Sequence, residues 1–346
     1  MLMIKKLTPK VRKYSNLLLR LLTGIFAYTL LFGQLSGKQK QFEPLIVKER
    51  FLDAEGFYPL LVFLVALMLL NWGLESLKWR RLIGSLEKLS FTRCLGAVLT
   101  GVTISFFSPN RAGEFLGRVF SLRQANRIDA SLVTVTGSFA QFIVTLVAGS
   151  GALILYLDRH AAFFEGMLPA FRAGQVIAWL LVSAALLLLY FNIGLFSGLA
   201  RHSQKGGRLR LWLQHLLILR SLHTRDLSFV ILLSSLRYAV FSFQACLLLR
   251  FSLPGISWTD AGLISGVFFL VVTLIPSFAL AEIGIRGSVA VYLTELYGQS
   301  AGLPPGETIL PALLTFTMLW VMNIALPALL GVFGLLQLRF FKETTS

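Results

Sequence analysis

Long apolar stretches limit what this chain can fold into more than any other feature of its sequence. Six stretches are each about as long as the roughly 20 residues that a helix needs to cross the hydrocarbon core of a bilayer. They are residues 17–35, 57–77, 131–157, 175–198, 227–250 and 307–338. Only 14% of the residues are charged, against about 25% in a typical soluble domain. The sequence therefore predicts an all-α polytopic membrane protein with six full spans.

Two further apolar segments break off before they reach that length. Residues 94–108 run into Pro109, and 260–275 run into Pro276. Each proline can begin a returning half-helix, because the first position of a helix tolerates proline. We therefore predict two re-entrant, broken hairpins, at 94–127 and 260–297, or about eight membrane helices if each hairpin is counted as a span.

The positions of the basic residues support this layout. Cytoplasmic loops of membrane proteins are enriched in Lys and Arg. If both hairpins are re-entrant, the basic loops 78–93 and 199–226 lie on the same side as both termini. We therefore predict a plasma (inner) membrane protein with cytoplasmic N and C termini. The formal net charge of +16 then indicates contact with anionic inner-leaflet lipids rather than nucleic acid, because the cations are scattered through short loops.

The two hairpins share a sequence motif. "SPNRAGEFLGR" (108–118) and "IPSFALAEIGIRG" (275–287) both contain a proline, then a glutamate, then an arginine four residues later. At an offset of 282 − 114 = 168 residues, the equivalent pairs are Glu114 with Glu282 and Arg118 with Arg286.

The motif recurs in the same order of spans in each half of the chain. In the predicted topology the first hairpin enters from the cytoplasm and the second from outside. The sequence therefore predicts one membrane domain made of two inverted repeats, 1–157 and 175–338, which is the organisation of many secondary transporters.

Ionised side chains at bilayer depth cost roughly 2.5–3.5 kcal/mol each on insertion scales, and therefore indicate function. In both motifs the glutamate precedes the arginine by four residues, which is the better order for a helical ion pair. We expect the arginines to hold a phosphate and the glutamates to orient them. The alternative is that each pair only fastens its hairpin to neighbouring helices. The predicted substrate-binding residues are Arg111, Glu114, Arg118, Arg237, Glu282 and Arg286.

Arg237 lies near the middle of an apolar stretch that contains no acidic residue. It could bind a headgroup or pair with Glu114 or Glu282, and snorkelling towards the membrane surface is an equal alternative.

The other polar residues indicate little chemistry. We expect Glu75 to pair locally with Lys78 or Arg80. The histidines fall in predicted loops without metal-ligand spacing, so surface positions are expected for His160, His202, His215 and His223. The sequence contains no phosphate-binding loop and no nucleophile motif. We predict no catalytic residue, metal or cofactor, and therefore a transporter rather than an enzyme.

With these residues in place, the sequence resembles the lysylphosphatidylglycerol synthase transmembrane family, which is also described as flippase-like. The segments at 108–122 and 276–298 carry the resemblance. It implies a membrane domain that moves aminoacylated or other lipids between leaflets, often fused to a soluble aminoacyl transferase. Because residue 346 follows closely on the last predicted span, we expect this chain to lack the synthase domain and not to transfer lysine by itself.

The leading hypothesis is a lipid flippase for a phosphate-bearing lipid, which could be a phospholipid, an aminoacyl-phospholipid or a polyprenyl-phosphate-linked lipid. A second hypothesis is a non-transporting membrane partner of a separate lipid- or glycan-modifying enzyme, in which the Glu–Arg pairs serve folding only. A third is a secondary transporter of a small anion.

Overall fold

The computed structural model describes residues 56–105, 108, 113–160, 169–197, 214–275 and 279–335. These residues form ten α-helices and no β-strand. In chain order the helices are α1 (Phe57–Ile83), α2 (Phe91–Ser105), α3 (Gly113–Phe120), α4 (Arg127–His160), α5 (Pro169–Phe191), α6 (Thr224–Ser252), α7 (Trp258–Leu274), α8 (Ala279–Ser300), α9 (Ile309–Trp320) and α10 (Leu326–Leu335). Short 3-10 helices occupy Ile193–Ser197 and His215–Ser221, and the π-helical turn Val321–Ala325 joins α9 to α10.

Five helical segments are long and apolar enough to cross a bilayer: α1, α4, most of α5, α6 and the continuous run Ile309–Leu335. They confirm five of the six predicted spans, and the predicted span 17–35 lies outside the described residues. Helices α2 and α7 are shorter apolar helices, as the interrupted segments predicted. The chain is therefore an all-α polytopic membrane protein.

Helix α1 continues beyond the predicted end of its span at residue 77. No proline or glycine lies in its last two turns, and the helix ends only at Gly84, whose N–H bonds to the Arg80 carbonyl. This extension places Lys78, Arg80 and Arg81 on a helix instead of in the predicted loop. The difference matters because Lys78 then points from the same helix as Glu75.

One face of α1 is buried along most of the helix. Spacings of three and four residues put six buried side chains on this face: Leu64, Met68, Asn71, Glu75, Lys78 and Leu82. The three apolar members belong to three different hydrophobic clusters. The polar middle of the stripe is therefore enclosed by the helix bundle.

Helices α2 and α3 form a tight antiparallel hairpin. Gly113 lies against the backbone carbonyl of Ile104, and Gly117 lies against the backbone of Gly101. A methyl group at either of these α3 glycines would overlap α2. Small residues spaced four apart therefore let the two backbones touch.

Each short apolar helix also packs on a helix from the other half of the chain. Helix α2 packs against α10, and α7 packs against α4. Glycines again permit the close approach: Gly331 and Gly334 on α10, Gly149 on α4 and Gly266 on α7.

Candidate functional site: a buried charge cluster

A single buried carboxylate, Glu75 of α1, binds three cationic side chains. Its Oε1 accepts a hydrogen bond of 2.7 Å from Arg118 Nη1 on α3. Its Oε2 accepts from Arg237 Nη1 on α6 and lies 2.7 Å from Lys78 Nζ. The exposed fraction of these four side chains is 8% or less. One carboxylate thereby joins three helices.

The Arg237 guanidinium is held on several sides. Its Nε donates to Asn71 Oδ1 at 3.0 Å, and its Nη1 lies 3.4 Å from Gln141 Oε1 on α4. The rings of Trp72 and Phe241 each lie with their centroids 5.5 Å from its central carbon. Arginine stacks favourably on aromatic faces when it is removed from water. The contacts therefore fix this cation in one orientation between α1, α4 and α6.

Arg118 connects the cluster to the surface of the protein. Its Nη2 donates to Glu114 Oε1, one turn earlier on α3, so the predicted i,i+4 ion pair is present. The Glu114 side chain is 27% exposed, whereas that of Arg118 is 2% exposed. Ser108 Oγ accepts from the Gly113 N–H at 2.6 Å, which satisfies one of the free donors at the start of α3. Glu114 is thus the exposed edge of an otherwise enclosed site.

The five ionised side chains define what we call the Glu75 cluster: Glu75, Lys78, Glu114, Arg118 and Arg237. Three positive and two negative side chains leave a formal charge of +3 − 2 = +1. Ionised groups are tolerated in a low-dielectric interior where they are paired and hydrogen-bonded, as these five are.

The structure brings three of the six predicted binding residues together: Glu114, Arg118 and Arg237. Arg237 forms an ion pair with Glu75, a partner that the sequence did not indicate. The expected local pair between Glu75 and Lys78 is confirmed, but it is only one of three ion pairs at that carboxylate.

The second motif lies on α8. The Arg286 guanidinium is 6.0 Å from the centroid of the Phe268 ring on α7, and the side chain of Glu282 lies outside the described part of the chain. Pro109, Arg111 and Pro276 lie outside the described residues.

Sequence reasoning missed the central position of Glu75 and the roles of Asn71 and Gln141. A signal was available, because Asn71, Glu75 and Lys78 are spaced four and three apart and continue the apolar stripe of α1. Polar residues on the buried stripe of a membrane helix need partners from other helices. What the pattern could not supply was the identity of those partners.

The expectation of a surface position is wrong for His160, which is buried at the end of α4. Helix α4 continues to this residue, and His160 Nε2 lies 3.1 Å from Asp260 Oδ1 at the start of α7. His160 Nδ1 lies 2.7 Å from Ser300 Oγ at the end of α8, and Arg159 Nε lies 2.7 Å from the same Asp260 oxygen. These contacts join the end of α4 to the start of α7 and to the end of α8. Across the described part of the chain, no three His, Cys, Asp or Glu side chains converge as metal ligands would.

Apolar helices of bilayer-crossing length that enclose an ion cluster define a multi-pass membrane protein with a polar centre. A family model, the lysylphosphatidylglycerol synthase TM region, matches residues 21–326. The chain belongs to this family, as the two motifs predicted. No curated protein and no solved structure matches the chain.

Proposed function

We propose that this protein moves a phosphate-bearing lipid between the leaflets of the inner membrane, with both termini in the cytoplasm, and that it acts as a transporter rather than an enzyme. The observation that carries the proposal is the Glu75 cluster, in which buried arginines and a lysine share a carboxylate among membrane helices. Intramembrane ionisable residues commonly mark substrate pathways. The lipid-related description of the family supports the same function.

In this proposal the lipid phosphate binds beside Arg118 and Arg237, which suit phosphate because guanidinium groups can donate two parallel hydrogen bonds. Glu114 is the entry edge, since it is the most exposed member of the cluster. A cationic part of a headgroup, such as an amine, would meet this carboxylate. The lipid classes consistent with such a site are a phospholipid, an aminoacyl-phospholipid and a polyprenyl-phosphate-linked lipid.

The helix bounds support two repeats as the moving parts. Adding 168 to the bounds of α1 gives 225–251, against Thr224–Ser252 for α6, and adding it to those of α2 gives 259–273, against Trp258–Leu274 for α7. The packing of α2 on α10 and of α7 on α4 ties each proposed repeat to the other. Inverted repeats that rock against each other would expose a central site alternately to the two sides.

We also propose that anionic inner-leaflet lipids bind around the protein. A groove at the ends of α1 and α6 is lined by two cations, Arg81 and Arg225, and by the apolar side chains of Phe229 and Leu232. Cations beside an apolar surface fit an anionic headgroup with its acyl chain. A separate lipid- or glycan-modifying enzyme is the remaining proposed partner, since it would supply or use the translocated lipid.

A proteoliposome assay tests the function. Purified full-length protein is reconstituted, and the transbilayer movement of fluorescent phosphatidylglycerol and of a polyprenyl-phosphate lipid is measured. We expect headgroup-dependent movement that is lost in folded Glu114→Gln protein. The matched control is Glu307→Gln, which changes an exposed glutamate in a turn away from the cluster. If well-folded wild-type protein moves neither lipid, the transport proposal fails and the hypothesis of a non-transporting partner replaces it.

A further inference from the structure

The last helical run of the chain, Ile309–Leu335, packs on both hairpins that carry the repeated motif. Its first part, α9, packs on α8 of the second hairpin, whereas its last part, α10, packs on α2 of the first hairpin. The hydrophobic clusters divide in the same way. Phe316 of α9 belongs to the cluster that contains Leu293 of α8, and Ala328 of α10 belongs to the cluster that contains Val98 of α2. One continuous run therefore links the two hairpins.

Both attachments of the run are tight. At the first hairpin, Thr103 Oγ1 of α2 donates to the Ala328 carbonyl of α10 at 2.7 Å, and a methyl group at Gly331 would overlap the α2 backbone. At the second hairpin, the Phe316 ring of α9 stacks on the Phe268 ring of α7 with centroids 3.8 Å apart. Neither part of the run can slide along its hairpin without breaking these contacts.

Between the two attachments the helix is irregular. The N–H of Leu326 bonds to the Val321 carbonyl, five residues back, whereas an α-helix bonds four residues back. Pro327 has no N–H, so the regular bond to the Asn323 carbonyl cannot form. Sharp kinks in helices occur at π-turns and at prolines. Both features therefore make the middle of the run the place where it bends most easily.

The irregular turn is itself held at the centre of the bundle. Asn323 is buried, and its Nδ2 donates to Gln244 Oε1 on α6 at 3.1 Å. Gln244 Nε2 in turn donates to the Leu64 carbonyl on α1 at 3.0 Å. Side-chain amides commonly join helices in this way within membranes. The two ends of the run are thus attached to the hairpins while its middle is attached to α1 and α6.

The corresponding helix of the first half has no such irregularity. Helix α4 packs on α7, the equivalent of α2, in the way that α10 packs on α2. It is α-helical throughout Arg127–His160 and contains no proline. A helix in this place therefore does not need a π-turn in order to pack, so the turn at Val321–Ala325 calls for another explanation.

From these observations we infer that Val321–Ala325 is a hinge: α10 moves as a unit with the first hairpin, α9 moves as a unit with the second, and the run bends between them. The inference rests on the proposed function, in which the two repeats move, and adds which helices move together and where the chain bends. Hinges are a few residues that absorb the backbone change. Because the run is continuous, it couples the position of one hairpin to that of the other.

Distances between pairs of spin labels test the hinge. Pulsed electron paramagnetic resonance is recorded on purified full-length protein in phosphatidylcholine vesicles that contain phosphatidylglycerol. The labels are attached to cysteines placed at four exposed positions, since both native cysteines are buried. These positions are Leu116 of α3, Tyr292 of α8, Ile309 of α9 and Phe333 of α10.

The expected result differs between pairs within a unit and the pair across the hinge. The pairs 333–116 and 309–292 each lie within one unit and should give a single distance. The pair 333–292 spans the hinge and should give two. A kink of about 20° at the turn would move the end of α10, roughly 15 Å away, by about 5 Å.

A proline substitution tests the position of the bend. Pro327→Ala restores an N–H in the middle of the run and should remove the second distance of the pair 333–292. The matched control is Pro311→Ala, because Pro311 is the third residue of α9, where a backbone N–H has no partner within the helix. This control should keep both distances. Should Pro327→Ala not fold, the comparison of the three pairs in otherwise unchanged protein still decides the question.

Three results would overturn the inference: a single distance for the pair 333–292, two distances for the pair 333–116, or two distances that persist in folded Pro327→Ala protein. The proposed function fails separately. Protein that shows the two distances but moves no lipid in vesicles keeps the hinge and loses the flippase proposal. Protein that moves lipid while the pair 333–292 keeps one distance retains the flippase proposal and loses the hinge.

Discussion

The two hairpins carry the same Glu-to-Arg spacing but have different surroundings. On α3, Arg118 is 2% exposed and binds two carboxylates, Glu75 and Glu114. On α8, Arg286 is half-buried and lies near the ring of Phe268, which itself stacks on Phe316 with ring centroids 3.8 Å apart. Arg118 of the first motif thus belongs to an ionic cluster, whereas Arg286 of the second motif lies beside aromatic rings.

The spans next to the hairpins explain the difference. At the offset of 168 residues, Asn71, Glu75 and Lys78 of α1 correspond to Ala239, Phe243 and Cys246 of α6. The second half therefore carries the motif without counterparts of Asn71, Glu75 and Lys78 on the neighbouring span. The comparison teaches that the hairpin motif alone does not make the Glu75 cluster, because the central carboxylate comes from that span.

The largest expected effect is the loss of the carboxylate that only the first half has. Glu75→Gln leaves Lys78, Arg118 and Arg237 close together without their shared counter-charge. Breaking a buried ion pair destabilises by roughly 3–5 kcal/mol, so we expect a steep fall in folded yield and in unfolding temperature. The measurement is thermal unfolding of the purified protein in detergent.

A double substitution is the control for that experiment. Glu75→Gln combined with Arg237→Gln removes a cation together with the carboxylate and should recover part of the stability, which a thermodynamic cycle would detect. If Glu75→Gln alone unfolds at the wild-type temperature, the cluster is not held together by this carboxylate.

The next largest difference in stability is expected between alanine substitutions of one glycine in each hairpin. Gly117→Ala places a methyl group against the Gly101 backbone and should destabilise by roughly 1–3 kcal/mol, as overpacking does. Gly284→Ala on α8 meets nothing within 4 Å and should be neutral or stabilising by up to about 1 kcal/mol, because alanine favours helix. Equal losses of unfolding temperature in the two variants would mean that the hairpins pack alike.

Removing Arg118 from the first motif should have a smaller effect on stability than removing Glu75. Arg118→Gln deprives Glu75 and Glu114 of a charged partner, although Lys78 and Arg237 still bind Glu75. We expect a loss of roughly 1–3 kcal/mol, the range for an unsatisfied buried group. Unfolding by denaturant measures the loss, and an unchanged free energy of unfolding would mean that Arg118 does not stabilise the cluster.

Much of the fold could be predicted from the sequence because membrane helices are long and apolar. Five spans and two short helices follow from apolar length and proline alone. The end of α1 was predicted too early because its last turns become polar while the helix itself continues to Gly84. Hydropathy reports the apolar core of a helix, whereas helix ends are set by capping and backbone conformation.

The candidate site was predicted only in part for a related reason. Glu114 and Arg118 are four residues apart on one helix, so their ion pair follows from local geometry. The contacts of Glu75 with Arg118 and Arg237 join residues that are 43 and 162 positions apart in the chain. No local spacing specifies such contacts, since they depend on how three helices pack together.

The smallest expected effect is the loss of an ion pair on the surface of the protein. It provides a contrast with the buried cluster. Arg81 Nε lies 2.6 Å from Asp226 Oδ1, but the Arg81 side chain is 49% exposed. Arg81→Gln should cost roughly 0.2–1 kcal/mol, and the loss should shrink in high salt because exposed charges are screened. The unfolding temperature at low and high ionic strength measures this, with Glu75→Gln as the buried counterpart whose effect should persist in salt. A salt-sensitive loss in Glu75→Gln would indicate that water and ions reach the cluster, and its enclosure by α1, α3 and α6 would then not hold in solution.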